Sequence, residues 1–322
     1  MEIFFRTLEQ MLTMFLLIAV GYILRKAKIL PEKADVAMAK LETYIFCPAL
    51  AMYTQMTKCT VATFTQNAPL ILYGTVMILG AIALSYPLSK LFVRDHKTCP
   101  EKAYQRNIYK YALTFGNFGF MGNFLALSVW GSDVFYQYSL FSLLINILCY
   151  SWGLFILIPK DKSAGMWANL KKGLTAPPIL ALVLGIVLGL LDLGQYMPDF
   201  VTSALDQAGS CMGPVAMILA GVVVGGYDFK SLLSDKKVYI ATALRLLVIP
   251  TVMLLILKLL NVGDTVMTLA LIAFATPLGM NTIVYPAAYG GDTKTGASMA
   301  MISHVLSVAT IPLMYLLFVV LL

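Results

Sequence analysis

Gly116-Asn117-Phe118-Gly119-Phe120-Met121-Gly122-Asn123 interrupts an apolar run that is long enough to cross a lipid bilayer. A second apolar run, in the other half of the chain, is interrupted by Thr276-Pro277-Leu278-Gly279-Met280-Asn281-Thr282. Glycines loosen the first helix, and Pro277 removes a hydrogen-bond donor from the second. Broken membrane helices at corresponding positions of two halves indicate a binding site near the middle of the bilayer.

The composition requires a membrane. The chain has 322 residues, of which 60% are hydrophobic and only 12% are charged, and its mean hydropathy is +0.83. A soluble domain carries about 25% charged residues, so this chain has too little polar surface to cover a soluble globule. The apolar runs are continuous rather than alternating, which favours helices over strands. We therefore expect an all-α integral membrane protein.

Ten apolar stretches approach the length of about 20 residues that a membrane-spanning helix needs. We place the ten predicted spans at residues 8–25, 39–57, 68–92, 108–130, 134–158, 174–192, 202–226, 238–260, 265–289 and 295–321.

Basic residues predict the orientation. If the spans alternate and both termini lie outside, 19 of the 23 Lys and Arg residues fall in the inner loops. Arg6, Lys58 and Lys258 lie on the outer side, and Arg245 lies within the eighth predicted span. Because basic loops stay in the cytoplasm, we expect a multi-pass protein of the plasma membrane with both termini extracytoplasmic. The net charge of +7 reflects this asymmetry and does not indicate nucleic-acid binding.

Landmark residues recur at similar spacing in the two halves. Pro48 precedes Asn117 by 69 residues, and Pro214 precedes Asn281 by 67 residues. Two related units of five helices, an odd number, must enter the membrane from opposite faces, which predicts an inverted repeat. The predicted units are residues 1–160 and 174–322, joined by a cytoplasmic linker at 161–173, with broken helices 4 and 9 crossing.

The two predicted breaks suit an anion. If they meet, half-helix N-termini direct partial positive charge at one point. Amide groups can then orient a carboxylate without a fixed charge. The candidate substrate-binding residues are Asn117, Asn281, Asn123, Gly119, Gly122, Pro277 and Thr282. The alternative is structural, because glycine and proline are common in membrane helices and a single Asn can join two helices by hydrogen bonds.

An acidic residue follows each interrupted stretch. Asp133 ends Trp130-Gly131-Ser132-Asp133, and Asp292 ends Tyr289-Gly290-Gly291-Asp292. Each stands before an apolar run, so we expect both to cap helices.

Two residues within spans suggest charge or proton chemistry. Arg245 is an intramembrane cation, which indicates function by default, although snorkelling to the inner surface is an equal alternative. His304 lies within the tenth predicted span and could carry a proton, or it could be a buried residue with satisfied hydrogen bonds. No carboxylate cluster marks an ion site, and the five scattered cysteines show no metal-ligand spacing and are interpreted as apolar fillers. We expect no metal and no cofactor.

At these residues the chain resembles the auxin efflux carrier (PIN-like) family in its small bacterial form. The family's N-T-G-F-x-G-x-P-L is similar to the stretch from Asn117 to Leu125, with Phe118 in place of Thr and Phe124 in place of Pro. The family's A-x-P-x-x-x-N-T matches the stretch from Ala275 to Thr282. Its S-T-L-L-S corresponds to Ser303-His304-Val305-Leu306-Ser307.

The resemblance implies a fold like that of sodium/proton antiporters and bile-acid carriers. Spans 1, 2, 6 and 7 would form a scaffold, and spans 3–5 and 8–10 would form a mobile transport unit. Members are similar to homodimers that move organic anions by an elevator-like shift. Plant members carry auxin, and bacterial members have been associated with malate or malonate. Asn117 and Asn281 match the asparagines that would hold the substrate carboxylate, and the loss of proline at Phe124 bears on the shape of the site.

The sequence therefore predicts a secondary transporter of small organic anions, with the lipid bilayer and a second copy of the chain as partners. The alternative is a membrane sensor or scaffold that binds a ligand without transporting it. An intramembrane enzyme would need a nucleophile, metal cluster or acid pair at depth, so we do not expect an enzyme.

Overall fold

The structure is a computed structural model that describes residues 2–93, 99–158, 165–228, 232–233, 235–283, 286 and 293–321. Within these residues the chain is nearly all helical, and the one β-type pairing is an isolated antiparallel bridge between Gly116 and Leu278. The expected all-α membrane class is confirmed at this level.

The described residues form seventeen α-helices, α1 to α17 in chain order. They are α1 Glu2–Lys26, α2 Ala34–Leu41, α3 Cys47–Lys58, α4 Val61–Asn67, α5 Pro69–Phe92, α6 Pro100–Thr114, α7 Asn123–Trp130, α8 Ser132–Phe141, α9 Leu143–Leu148, α10 Leu154–Leu157, α11 Met166–Leu174, α12 Pro177–Leu190, α13 Asp199–Gly225, α14 Lys236–Ala243, α15 Ile249–Leu259, α16 Asp264–Phe274 and α17 Lys294–Tyr315. π-Helical turns lie at Glu42–Phe46, Phe118–Gly122, Cys149–Gly153, Leu244–Val248 and Leu316–Leu321, and a 3₁₀ turn at Gly194–Tyr196.

Some of these helices are long enough to cross a membrane, and others are too short. Five helical stretches in the described residues are long and apolar enough to cross a bilayer, or six if α8 and the helix that follows it, bent by 55°, count as one span. Helices α12 and α16 are apolar but shorter. The count of ten spans and the inverted repeat therefore stay predictions.

Helix α1 packs along α13 through small residues. A side chain at Gly221 of α13 would clash with the backbone carbonyl of Ile18, and one at Gly21 of α1 would clash with that of Ile218. Close backbone approach of this kind is how membrane helices gain van der Waals contact where the hydrophobic effect between them is absent.

Helices α3 and α12 pack by the same means. Gly185 and Gly189 of α12 lie against the backbone of Met52, Gln55 and Cys59. Helix α13 also packs on α3, so α1, α3, α12 and α13 form one group. Helices α5, α6, α8 and α9 form a second group, against which the later helices α14 to α17 complete the molecule.

Hydrogen bonds gather several helix ends at one end of the bundle. Lys26 Nζ, at the end of α1, donates to the Tyr227 carbonyl just past α13, at 2.9 Å. Lys237 Nζ, at the start of α14, donates to the Phe92 carbonyl at the end of α5, at 3.0 Å. We call the end of the molecule that contains Lys26, Phe92, Tyr227 and Lys237 the basic end.

The opposite end carries an ion pair between the two groups of helices. Lys58 Nζ, at the end of α3, lies 2.7 Å from Asp133 Oδ1 in the first turn of α8. The prediction that Asp133 caps this helix is wrong, because the residue before α8 is Gly131 and no side chain makes a capping bond there. Gly131 has φ +86°, so the backbone turns sharply and the carboxylate reaches Lys58 instead. Asp292 lies outside the described residues.

Three helices end at a non-glycine residue in the left-handed region. These residues are Lys28, Asp192 and Asn261, with φ of 58°, 54° and 50°. In each case the amide of the next residue donates to the carbonyl five residues back, as at Ile29 N–H to the Leu24 carbonyl (3.1 Å). This bond pairs a carbonyl that would otherwise be left without a partner at the helix end.

Gly221→Ala should destabilise the protein, because the added methyl group forces the backbones of α1 and α13 apart. Overpacking of this kind costs about 1–3 kcal/mol. Thermal unfolding in detergent measures the effect. Gly80→Ala is the matched control, since nothing lies within 4 Å of a Cβ at Gly80 of α5. Equal melting temperatures for the two variants would contradict the close packing.

Lys28→Gly should stabilise the protein, because glycine adopts the left-handed region without the steric cost of a Cβ. This gain is partly offset by glycine's larger loss of backbone freedom on folding, so we expect a net stabilisation of about 0.5–1 kcal/mol. Asn261→Gly should change stability less, because asparagine tolerates this conformation. Denaturant or thermal unfolding checks both. A larger gain at Asn261 than at Lys28 would refute the interpretation.

Candidate functional site: a crossover of two broken helices

Two helices stop and restart where they cross. Helix α6 ends at Thr114, and helical structure resumes at Phe118. Helix α16 ends at Phe274, and helical structure resumes at Asn281. Between these points the two segments form the antiparallel bridge, in which the Asn117 N–H donates to the Pro277 carbonyl at 2.6 Å. The two interrupted stretches predicted from the sequence therefore meet.

Crossing is possible because glycine stands at the contact. A Cβ on Gly116 would lie 2.8 Å from the Thr276 carbonyl oxygen and would clash with the Arg245 guanidinium. A Cβ on Gly279 would lie 2.9 Å from the Gly116 carbonyl oxygen. Any larger residue at Gly116 or Gly279 would separate the two breaks.

Asn117 is the polar centre of the crossover. It is buried, and its carbonyl accepts from the Gly122 N–H at 3.0 Å. Its side-chain Nδ2 lies 3.2 Å from Nε2 of His304, which is also buried. The helix that carries His304, α17, makes a second hydrogen bond to the crossing, in which Ser303 Oγ accepts from the Leu278 N–H at 3.0 Å.

Arg245 brings a buried charge to the same place. It is 2% exposed and lies on the π-helical turn Leu244–Val248, with its guanidinium beside Gly116 and Thr276. Both neighbours come just after the C-terminal ends of half-helices, where the partial negative charge of the backbone favours a cation. None of the three guanidinium nitrogens has a hydrogen-bond partner among the residues that the structure describes. Arg245 therefore does not snorkel to the surface.

Tyr138 of α8 holds the restarted first helix. Its hydroxyl donates to the Phe118 carbonyl at 2.9 Å and occupies the space that a side chain at Gly122 would need. Gly122 thus serves packing, whereas Gly119 has no atom within 4 Å of a hypothetical Cβ. Phe124, which stands where the family motif has proline, packs its ring against Gly213 of α13.

Asn281 lies on a cavity of about 350 Å³. The cavity is lined by Ala39, Thr43, Tyr44, Phe120, Tyr150, Lys172, Thr175, Ala176, Pro177, Leu219, Met280 and Asn281. Asn281 Nδ2 donates to the Tyr111 hydroxyl at 3.0 Å and to Cys149 Sγ at 3.3 Å. Since the Tyr111 hydroxyl also lies 3.1 Å from that sulfur, Cys149 is a hydrogen-bonding residue rather than an apolar filler.

The candidate residues divide into three groups. Asn117, Pro277, Arg245 and His304 lie together at the crossing, and Asn281 lies on the cavity wall. Thr282 Oγ1 donates to its own turn at the Gly279 carbonyl (2.9 Å), and Asn123 is half-buried at the start of α7. Sequence reasoning missed Tyr111 and Tyr138, which carry no local signal because their partners Asn281, Cys149 and Phe118 are distant in sequence.

Metal binding finds no support in the described part of the chain, where no group of three or more His, Cys, Asp or Glu side chains is placed to hold an ion.

Comparison with known proteins identifies the family. No curated protein matches the chain significantly. The family described as "Membrane transport protein" matches residues 6–169 and 166–315, which together cover most of the chain. The resemblance to the auxin efflux carriers is thereby confirmed, and the chain belongs to this membrane transport family.

Proposed function

We propose that this membrane transporter carries small organic anions, and that Arg245 is the cation that binds them. The observation that supports the proposal is the buried guanidinium at the crossover, all of whose nitrogens lack partners among the described residues. A buried charge without a partner is unfavourable by several kcal/mol, even after relaxation. An anionic ligand removes that penalty, because guanidinium and carboxylate match in a planar, bidentate pair.

Asn117 and the crossing backbone would complete the anion site. The Arg245 guanidinium lies against Gly116, the chain neighbour of Asn117, and we propose that one carboxylate contacts the charge and the amide together. The half-helix that restarts at Phe118 would add partial positive charge from its N-terminus. This arrangement keeps the binding groups on rigid backbone while leaving the charge to be balanced by the ligand.

The cavity beside Asn281 would be the entry. Its volume of about 350 Å³ is within the range of about 300–1,000 Å³ typical of small-molecule sites. Lys172 adds positive charge to its wall, and Tyr44, Phe120 and Tyr150 add aromatic surface. The cavity is lined by Pro177 at the start of α12. The other end of α12 packs at Gly189 against Cys59, next to Lys58, so the cavity lies toward the basic end. We propose that this end is cytoplasmic, which makes both termini extracytoplasmic, as the basic loops predict.

Alternating access would follow from relative motion of the two helix groups. The group α1, α3, α12 and α13 would be the scaffold, and the crossover helices would move against it as the transport unit. The cavity separates the groups at the basic end, and the Lys58–Asp133 pair joins them at the other. We propose an elevator-like shift in which that pair separates, in a homodimer of the plasma membrane.

Arg245→Gln should weaken carboxylate binding about ten- to a hundredfold, because a charged hydrogen bond contributes about 1.5–3 kcal/mol. Thermal-shift titration of the purified protein with a panel of mono- and dicarboxylates measures the affinity, and proteoliposome uptake measures transport. Arg6→Gln, at an exposed position of α1, is the matched control. Equal carboxylate affinity in the Arg245→Gln and Arg6→Gln variants would refute the role of Arg245. A ligand-induced shift without any flux would instead favour a sensor.

Asn117→Ala and Asn281→Ala should each lower carboxylate uptake, but by different routes. Loss of Asn117 removes an amide at the crossing, whereas loss of Asn281 breaks its bonds to Tyr111 and Cys149 on the cavity wall. We expect Asn117→Ala to lower carboxylate uptake at least tenfold, which corresponds to about 1.4 kcal/mol or more of lost interaction free energy. Asn107→Ala on α6 is the control. Uptake at the wild-type rate in folded Asn117→Ala protein would remove Asn117 from the proposed site.

A further inference from the structure

We infer that Asn117 and His304 couple anion binding to the uptake of one proton; this rests on the proposed function. The starting point is the hydrogen bonding of His304. Its Nδ1 lies 2.7 Å from the Ala300 carbonyl oxygen, which can only accept. Nδ1 therefore carries the hydrogen, and Nε2 of the neutral ring has a lone pair that accepts from the Asn117 amide at 3.2 Å.

Protonation of His304 would reverse that second bond. With a hydrogen on Nε2, both ring nitrogens donate, and the Asn117 amide must present its oxygen instead of its nitrogen. The Asn117 backbone cannot follow, because its N–H is bonded to Pro277 and its carbonyl to Gly122. The side-chain amide alone turns, so the N–H that was bonded to His304 leaves it and both amide N–H groups become available to a ligand.

The charged and titratable groups around His304 determine whether its protonation depends on a bound anion. The π-helical turn packed against α17 contributes Arg245. On α6, the Tyr109 ring stacks on Phe92, and the Tyr111 hydroxyl lies against Asn281 and Cys149. Cys211 of α13 is exposed on the outside of the bundle. Arg106, in the middle of α6, donates to Ser89 Oγ and to the Tyr86 carbonyl. The remaining titratable residues on the packed helices are Arg6, Glu9, Tyr22, Arg25 and Lys26 on α1, Glu101, Lys102, Tyr104 and Lys110 on α6, Asp199 and Asp206 on α13, Lys236, Lys237 and Tyr239 on α14, and Asp264 on α16.

Protonation of His304 therefore adds a second cation to the crossing, and no acidic residue lies beside that imidazolium in the described structure. An imidazolium near Arg245 is unfavourable until an anion enters, and an anion is held better once the imidazolium and the freed amide are present. Linkage makes the two effects equal, so the anion raises the affinity for the proton by the same factor. The proton enters at Nε2, travels with the anion and leaves when the anion leaves. The resulting transport is proton–anion symport.

Proteoliposomes that contain a pH-sensitive dye test the inference, with labelled malate outside and the membrane potential clamped at zero by potassium and valinomycin. We expect malate entry to acidify the lumen. For one proton per malate, an outside pH one unit below the inside pH should raise malate accumulation about tenfold. His304→Gln should abolish the dependence on the pH gradient. His96→Gln, at the only other histidine, should leave it unchanged.

The outcomes separate the two proposals. Malate flux that neither moves protons nor responds to the pH gradient in the wild-type protein would overturn the coupling and leave the anion transporter intact. Absence of both malate flux and a malate-induced thermal shift would count against the proposed function and the inference together. Malate uptake by the His304→Gln variant that still depends on the pH gradient would also overturn the role of His304.

Discussion

Inside a bilayer, every backbone N–H and C=O that a helix break exposes must find another partner. In this protein the partner of one break is the other break. Asn117 donates to Pro277, and Leu278 donates to Ser303 of the neighbouring helix, so neither break is left open in hydrocarbon. Each interrupted helix is tolerated only because the second is interrupted at the same point. The rest of the site depends on this mutual pairing.

The crossing also determines where charge can be buried. Arg245 lies at the C-terminal ends of two half-helices, where backbone dipoles reduce the cost of a cation. They reduce that cost, while the guanidinium has no hydrogen-bond partner in the part of the chain that the structure describes. A site that stabilises a charge only in part can bind an opposite charge and release it again. This property suits a carrier better than a protein that retains its ligand.

The contacts within the first group of helices differ in kind from the contacts between the two groups. Helices α1, α3, α12 and α13 meet through glycines at backbone contact distance, which favours one packed arrangement. The contacts between the groups are of another kind, and include the exposed Lys58–Asp133 pair and the hydrogen bond from Gln55 to Ser139. Exposed ion pairs contribute little to stability, about 0–1 kcal/mol, so the Lys58–Asp133 pair can separate at low cost, whereas the Gln55–Ser139 bond is buried.

The sequence by itself determined the membrane class, the family and the position of both breaks, because hydropathy, glycine and proline act locally and leave a signal within a few residues. It also identified Asn117, Arg245 and His304 as residues out of place in an apolar span. Only the tertiary structure decided which of them meet. The neighbours of Gly116 and Arg245, the bond from Asn281 to Tyr111 and the pairing of Asp133 with Lys58 join residues far apart in the chain. No local pattern encodes such contacts, since they depend on how whole helices pack.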